Sequence, residues 1–186
     1  MDWLTFVVPG IGNSGPTHWQ SLWQARRPDW RRLQVEDWDR VTCDDWVSAL
    51  ERQVAAQRTD AVVVAHSLGC LAVAHWAVRH APKIRGALFV AVPDPAAAAY
   101  PAGAIGFSPL PAQRLPFTSI IVASTDDPYG SMDHAHGCAR TWGSKLVDVG
   151  ALGHINTASA VGDWPEGLRL LEELGGQRTA GQREES

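Results

Sequence analysis

The chain has 186 residues, 45% of them hydrophobic and 19% charged, with a formal net charge of −4. This length fits one domain with a sizeable core, and the mild negative charge lacks the basic footprint of a nucleic-acid binder. The nine Trp are scattered from Trp3 to Trp164, so they read as core and interface fillers rather than a base-stacking platform. Cys43, Cys70 and Cys138 show no CxxC spacing, which argues against a disulfide framework and predicts a reducing, cytoplasmic setting. No signal-peptide pattern opens the sequence, and no apolar run is long enough to span a bilayer, so no membrane association is expected. Residues 1–175 are expected to form a single domain, followed by a polar tail over 176–186.

Leu4 to Val8 reads as a first strand, stopped by Pro9-Gly10. Ile11 to Pro16 is a loop of turn-forming residues. It lacks both G-x-G-x-x-G and the lysine-bearing P-loop, so it is not read as a phosphate cradle. A helix opens at Pro16 or Thr17, with His18, Trp19, Leu22 and Trp23 at helical spacing, and ends at Pro28-Asp29. Leu33-Gln34-Val35 is expected as a second strand. A helix follows from Thr42 or Asp44 to Gln57, with Trp46, Leu50 and Val54 on one stripe.

Val62-Val63-Val64 is a third, buried strand. It runs into Ala65-His66-Ser67-Leu68-Gly69 and an apolar helix reaching about His80. Ala87 to Val92 is a fourth strand. Pro93 to Pro116 is irregular and reads as a short lid or a surface loop. Ser119 to Ala123 is a fifth strand, a helix spans about His134 to Trp142, and Lys145 to Val149 is a sixth strand. Leu168, Leu170, Leu171 and Leu174 mark a final helix with Pro165 near its start. Strands alternating with helices predict an α/β fold with a mostly parallel, doubly wound sheet.

In such sheets ligands bind beyond the carboxyl ends of the strands. Ser67 follows the third strand there, Asp126 and Asp127 the fifth, and His154 the sixth. Strand, sharp turn carrying a serine and helix is the context of a nucleophile elbow, with Ala65 in place of the usual glycine. Read alone, Ser67 could equally cap the following helix. The order Ser, Asp, His after successive strands favours the nucleophile. His154 would serve as general base, and a carboxylate would hold its imidazole. Backbone N–H groups of Leu68, and of Gly10 and Ile11 after the first strand, are candidates for an oxyanion hole. His66 sits beside the serine, but its place in the elbow reads as structural. Asp133 to Cys138 offers metal-ligand residue types. His134 and His136 fall on different helix faces, however, and no second cluster accompanies them, so no metal or other cofactor is expected.

Several of these pieces together resemble a known family. They are Pro9-Gly10-Ile11-Gly12-Asn13-Ser14 with His18-Trp19, the His66-Ser67-Leu68-Gly69 elbow, Ser124 to Tyr129, Gly153-His154-Ile155-Asn156, and Gly162 to Gly167. The combination resembles the small serine hydrolases related to retinoblastoma-binding protein nine, across about Leu4 to Leu174. The resemblance implies a compact α/β-hydrolase fold with no large cap domain. It also implies that Asp127, rather than Asp126, joins Ser67 and His154 as the catalytic triad. Asn13, His18, Trp19, Tyr129 and Ile155 are candidates for the substrate pocket. The expected activity is cleavage of small carboxylic esters, thioesters or amides through an acyl-enzyme, with a small-molecule acyl substrate as the partner. The alternative is a non-catalytic protein-binding module that keeps the hydrolase fold.

Overall fold

The computed structural model describes residues 3–56 and 61–176. Of the expected tail over 176–186, Gly176 is helical and 177–186 lie outside the described residues, as does the expected end of the second helix at Gln57. Among the described residues the strands in chain order are β1 (Thr5–Val8), β2 (Arg31–Arg32), β3 (Val41–Thr42), β4 (Val62–His66), β5 (Gly86–Val90), β6 (Ala104–Ile105), β7 (Thr118–Ala123) and β8 (Lys145–Asp148). The α-helices among the described residues are α1 (Trp19–Arg26), α2 (Cys43–Leu50, continued by a π turn over Glu51–Ala55), α3 (Leu68–His80), α4 (Met132–Trp142) and α5 (Pro165–Gly176).

Six strands form one sheet in the order β2-β1-β4-β5-β7-β8, and all its pairings are parallel. β4 and β5 are buried at every position. That is why both read as unbroken apolar runs rather than alternating ones. Alternate residues still serve different faces. Phe6, Val8, Val63, Ala65, Ala87 and Phe89 pack with Trp46 of α2, Leu71 of α3 and Trp142 of α4. Val7, Val62, Val64, Leu88 and Val90 pack with Trp19 and Trp23 of α1 and Leu171 and Leu174 of α5. The sheet is therefore wound on both faces. α3 is buried from Leu68 through Ala77, which explains why its sequence is apolar on all sides.

One expectation needs correction. The second strand lies at Arg31–Arg32, not at Leu33-Gln34-Val35. It is the edge strand, where charged side chains are tolerated. Its pairing with β1 closes as Leu33 N–H donates to Val7 O at 2.9 Å. The irregular stretch after β5 carries β6, which pairs with β3 as a separate two-stranded ribbon. It is pinned where Trp142 Nε1–H donates to Pro111 O at 3.0 Å and His75 Nε2 meets Phe107 O at 3.0 Å.

Leu88 is fully buried at the centre of the sheet, whereas Ile105 is 63% exposed on β6. Leu88→Ala should lower unfolding stability by about 2–5 kcal/mol, and Ile105→Ala should change it by less than about 0.5 kcal/mol. Urea denaturation midpoints measure both.

Candidate active site

The carboxyl end of β4 leads into Ser67, whose backbone sits at φ 53°, ψ −127°. Such a conformation is unfavourable for a residue with a Cβ and persists only where the surroundings enforce it. Ser67 N–H donates to Val90 O at 2.9 Å, and α3 begins at the next residue. The turn leaves no space at its end. A Cβ on Gly69 would fall 2.5 Å from Pro9 O and 2.6 Å from Val8 O. This is the crowding that a small residue there relieves. The Ser67 side chain makes no capping bond to α3. Of the two roles open to it, the structure shows a different partner.

That partner is His154, whose Nε2 lies 2.8 Å from Ser67 Oγ. The other ring nitrogen, Nδ1, is 2.9 Å from both carboxylate oxygens of Asp127. The Asp127 side chain is only 2% exposed, and its Oδ1 also accepts the Tyr129 N–H at 2.9 Å. Nδ1 therefore carries the proton, and Nε2 is left to accept from the serine hydroxyl. Asp126 faces elsewhere. Its Oδ1 accepts from Ser124 Oγ at 2.8 Å and from Gly153 N–H at 2.6 Å. These two bonds hold its carboxyl below the usual range, the Ser124 hydroxyl contributing most. Ser124 Oγ in turn accepts the Leu152 N–H at 2.8 Å. Asp126 and Ser124 thus fasten the loop that presents His154.

The loop after β1 crosses over the elbow. A Cβ on Gly10 would lie 2.9 Å from Ser67 Cβ and 3.4 Å from Ser67 Oγ, so only glycine lets this strand end approach the serine. Gly12 N–H donates to Trp38 O at 3.0 Å and Asn13 N–H to Gly10 O at 3.3 Å. Gly10, Ile11 and Leu68 line the cavity over Ser67. Arg32, which the sequence reading did not single out, clamps this loop. Its Nη1 donates to Asn13 O at 2.7 Å and Asn13 Oδ1 at 3.1 Å, its Nη2 to Ser21 Oγ at 2.8 Å, and its Nε to Gln24 Oε1 at 2.7 Å. An arginine on an edge strand carries no local signal of that role.

The cavity measures about 590 Å³, within the usual range for a small-molecule site. His18 and Tyr129 are in its wall, as is Pro101 from the irregular segment. Three expected pocket residues are not. Asn13 is turned into a neighbouring groove with Arg32. Trp19 is core, and its Nε1–H donates to Ile155 O at 2.8 Å. Ile155 is likewise fully buried among the tryptophans. In each case the neighbour in sequence faces the site and this residue packs behind it. In α4, His134 Nε2 lies 3.5 Å from Cys138 Sγ and its Nδ1 lies 3.7 Å from Asp94. No group of three or more metal-ligand side chains converges among the described residues.

Two further histidines stand against His154. His66 Nε2–H donates to His154 O at 2.9 Å, with ring centroids 5.0 Å apart. His18 meets His66 edge-on at 4.7 Å. Burial, above all, pushes His66 well below the ordinary imidazole range. Burial, followed by the charges of Arg32 and His154, lowers His18 to about 4. Both rings are therefore neutral at neutral pH.

A sequence model of the family described as Serine hydrolase matches residues 5–173. The chain belongs to the serine hydrolase family. It is similar to the structure of a putative YdeN-like hydrolase from Pectobacterium atrosepticum, at 33% identity and TM-score 0.83, covering 93% of this chain and 91% of that one. It is also similar to the ydeN gene product of B. subtilis, at 18% identity and TM-score 0.71, covering 94% of this chain and 100% of that one. The type II thioesterase BorB from the borrelidin biosynthetic cluster shares the fold at 15% identity and TM-score 0.67, with 92% of each chain covered. Among curated protein sequences none matches. The serine hydrolase is thus an α/β-hydrolase fold with no large cap domain evident. No helix among its described residues is long and apolar enough to cross a membrane.

The lowered pKa of His18 fixes the sign of a stability effect. Unfolded His18 takes up a proton near pH 6.5, and the folded ring resists until about 4. The unfolded state binds more protons between those values, so stability is full above about 6.5 and falls as pH drops towards 4. His18→Asn should flatten this acid limb. Denaturation midpoints across pH 4–7, with NMR titration of the histidine rings, check the effect.

Proposed function

We propose that this serine hydrolase cleaves small, uncharged carboxylic esters, and by the same chemistry thioesters or amides, through an acyl-enzyme on Ser67. The observation that carries the reading is the unbroken hydrogen-bonded line from Asp127 through His154 to Ser67, beneath an open cavity. In this mechanism Ser67 Oγ attacks the acyl carbonyl while His154 Nε2 takes its proton. Asp127 holds the Nδ1–H and stabilises the imidazolium that forms. Backbone N–H groups of Leu68 and of Gly10 or Ile11 receive the oxyanion, with the N-terminus of α3 adding its dipole. The imidazolium then protonates the leaving alcohol, thiol or amine. Water, deprotonated by His154, releases the acid and restores Ser67.

An uncharged small-molecule substrate is favoured because, among the described residues, no Asp, Glu, Lys or Arg lines the cavity. The three thiols are buried and free, which fits a reducing compartment such as the cytoplasm. The narrower kinship with hydrolases related to retinoblastoma-binding protein nine rests on the motifs already described.

With p-nitrophenyl acetate, Ser67→Ala should abolish turnover above background. Asp127→Asn should lower kcat by at least about 10³-fold, and Asp126→Asn should lower it far less. Steady-state kinetics on the three variants test the assignment. A larger loss from Asp126→Asn would reverse the roles of the two carboxylates, and unimpaired turnover in Ser67→Ala would remove the nucleophile.

A further inference from the structure

Tyr129 stands two residues beyond Asp127 and is held on both sides of its main chain. Its N–H donates to Asp127 Oδ1 at 2.9 Å, and its carbonyl accepts the Asp94 N–H at 2.8 Å. An aspartate that bonds the N–H two residues on closes a turn. The carboxylate that meets His154 therefore also sets where Tyr129 leaves the chain. Its ring lies 4.4 Å from the His154 imidazole, centroid to centroid, with 48° between the planes. That separation is too short for edge-to-edge contact, so the two rings overlap in part. Both residues line the cavity over Ser67.

The hydrogen bonds of His154 leave one motion open. Nδ1 is tied to Asp127 and Nε2 to Ser67. These bonds fix the line between the two partners, but they resist only weakly a tilt of the ring about that line. Contacts with neighbouring rings resist the tilt. His66 supplies one at 5.0 Å, and Tyr129 supplies a closer one. In the proposed mechanism the imidazole also gains a charge. Around it stand Asp127 and the exposed Asp126 from the loop after β7, His66 and Ser67 from the elbow, and His18 at the start of α1. Of these, Asp127 alone meets the ring as an ion, and the other two histidines are neutral. Tyr129 adds an electron-rich aromatic face, which attracts a cation held within about 6 Å of its centroid.

We propose that Tyr129 is a positioning residue for the general base: its aromatic ring braces the His154 imidazole in line with Ser67 and favours the imidazolium over the neutral ring. The proposal rests on the hydrolase reading above. A side chain that served only as cavity wall would act on substrate fit and leave the base alone.

Three replacements at position 129 separate these roles. Tyr129→Leu removes the aromatic face. Tyr129→Phe keeps it and drops the hydroxyl. Pentafluorophenylalanine at the same position keeps a ring of similar shape but reverses the charge on its face. Each is compared with the wild type by kcat, KM and the pH dependence of kcat/KM on p-nitrophenyl acetate, with the thermal midpoint as a check on folding. The acid limb of kcat/KM reports the base in the free enzyme.

In Tyr129→Leu the midpoint of the acid limb should fall by about half a pH unit, and kcat above the limb should drop roughly three- to tenfold. The sign follows from the ring's preference: without a face that favours the cation, the base holds its proton less well. Tyr129→Phe should restore most of both losses. The fluorinated variant should lower the acid limb as Tyr129→Leu does, and it decides the question alone if Tyr129→Leu does not fold. A wild-type acid limb in the fluorinated variant, a change confined to KM in Tyr129→Leu, or an equal loss in Tyr129→Phe would overturn the proposal. Absence of wild-type turnover, together with no labelling by a fluorophosphonate, would overturn the hydrolase reading itself and this inference with it.

Discussion

The structure turns on the steric fit between the end of β1 and the turn after β4. Ser67 is held at positive φ, and α3 starts at once behind it. Val8 O and Pro9 O press on Gly69 from one side, and Gly10 presses on Ser67 itself. Two close backbone approaches, each allowed by a missing Cβ, bring the end of β1 and the serine turn together at one point. The remaining pieces are arranged to meet that point. β7 and β8 lie to one side of β4 in the sheet, and the loops beyond their carboxyl ends bring Asp127 and His154 to it. Arg32, from the opposite edge of the sheet, holds the β1 loop in place.

The charge distribution follows from burial. Asp127 is the buried carboxylate, and it faces His154 directly. His18 and His66 pack so tightly against the site that both remain neutral, and each has a nitrogen committed to a backbone group. A histidine cluster that titrated near neutral pH would place positive charge beside His154 and oppose its acceptance of a proton. Neutral neighbours place no positive charge beside His154. His66 also holds the His154 backbone carbonyl, so His154 is fixed both at its ring and at its main chain.

Much of this was legible in the residues. β4, β5 and β7 announce themselves because strands buried on both faces must be apolar throughout. The Ser67, Asp127 and His154 positions were readable because each follows its own strand at one edge of the sheet. The choice between Asp126 and Asp127 came from family resemblance; in the structure Asp127 meets the Nδ1 of His154 and Asp126 ties down the loop. What local pattern could not reveal depends on distant partners. Arg31–Arg32 is a strand because an edge needs only backbone pairing with β1, whereas Leu33 and Val35 looked more strand-like by composition. β3 and β6 are two residues each and pair across some sixty positions, beyond any local signal. Asn13, Trp19 and Ile155 neighbour site residues in sequence yet turn away from the cavity, because single-residue changes of direction in loops and helix starts are set by packing.

The central claim is that Ser67 is a nucleophile activated by His154. Intact-mass spectrometry with peptide mapping after exposure to a fluorophosphonate tests it directly. The account predicts one adduct per chain, on Ser67, forming rapidly in the wild type and much more slowly in His154→Ala. Labelling at another residue, or equal labelling rates in the two proteins, would contradict it.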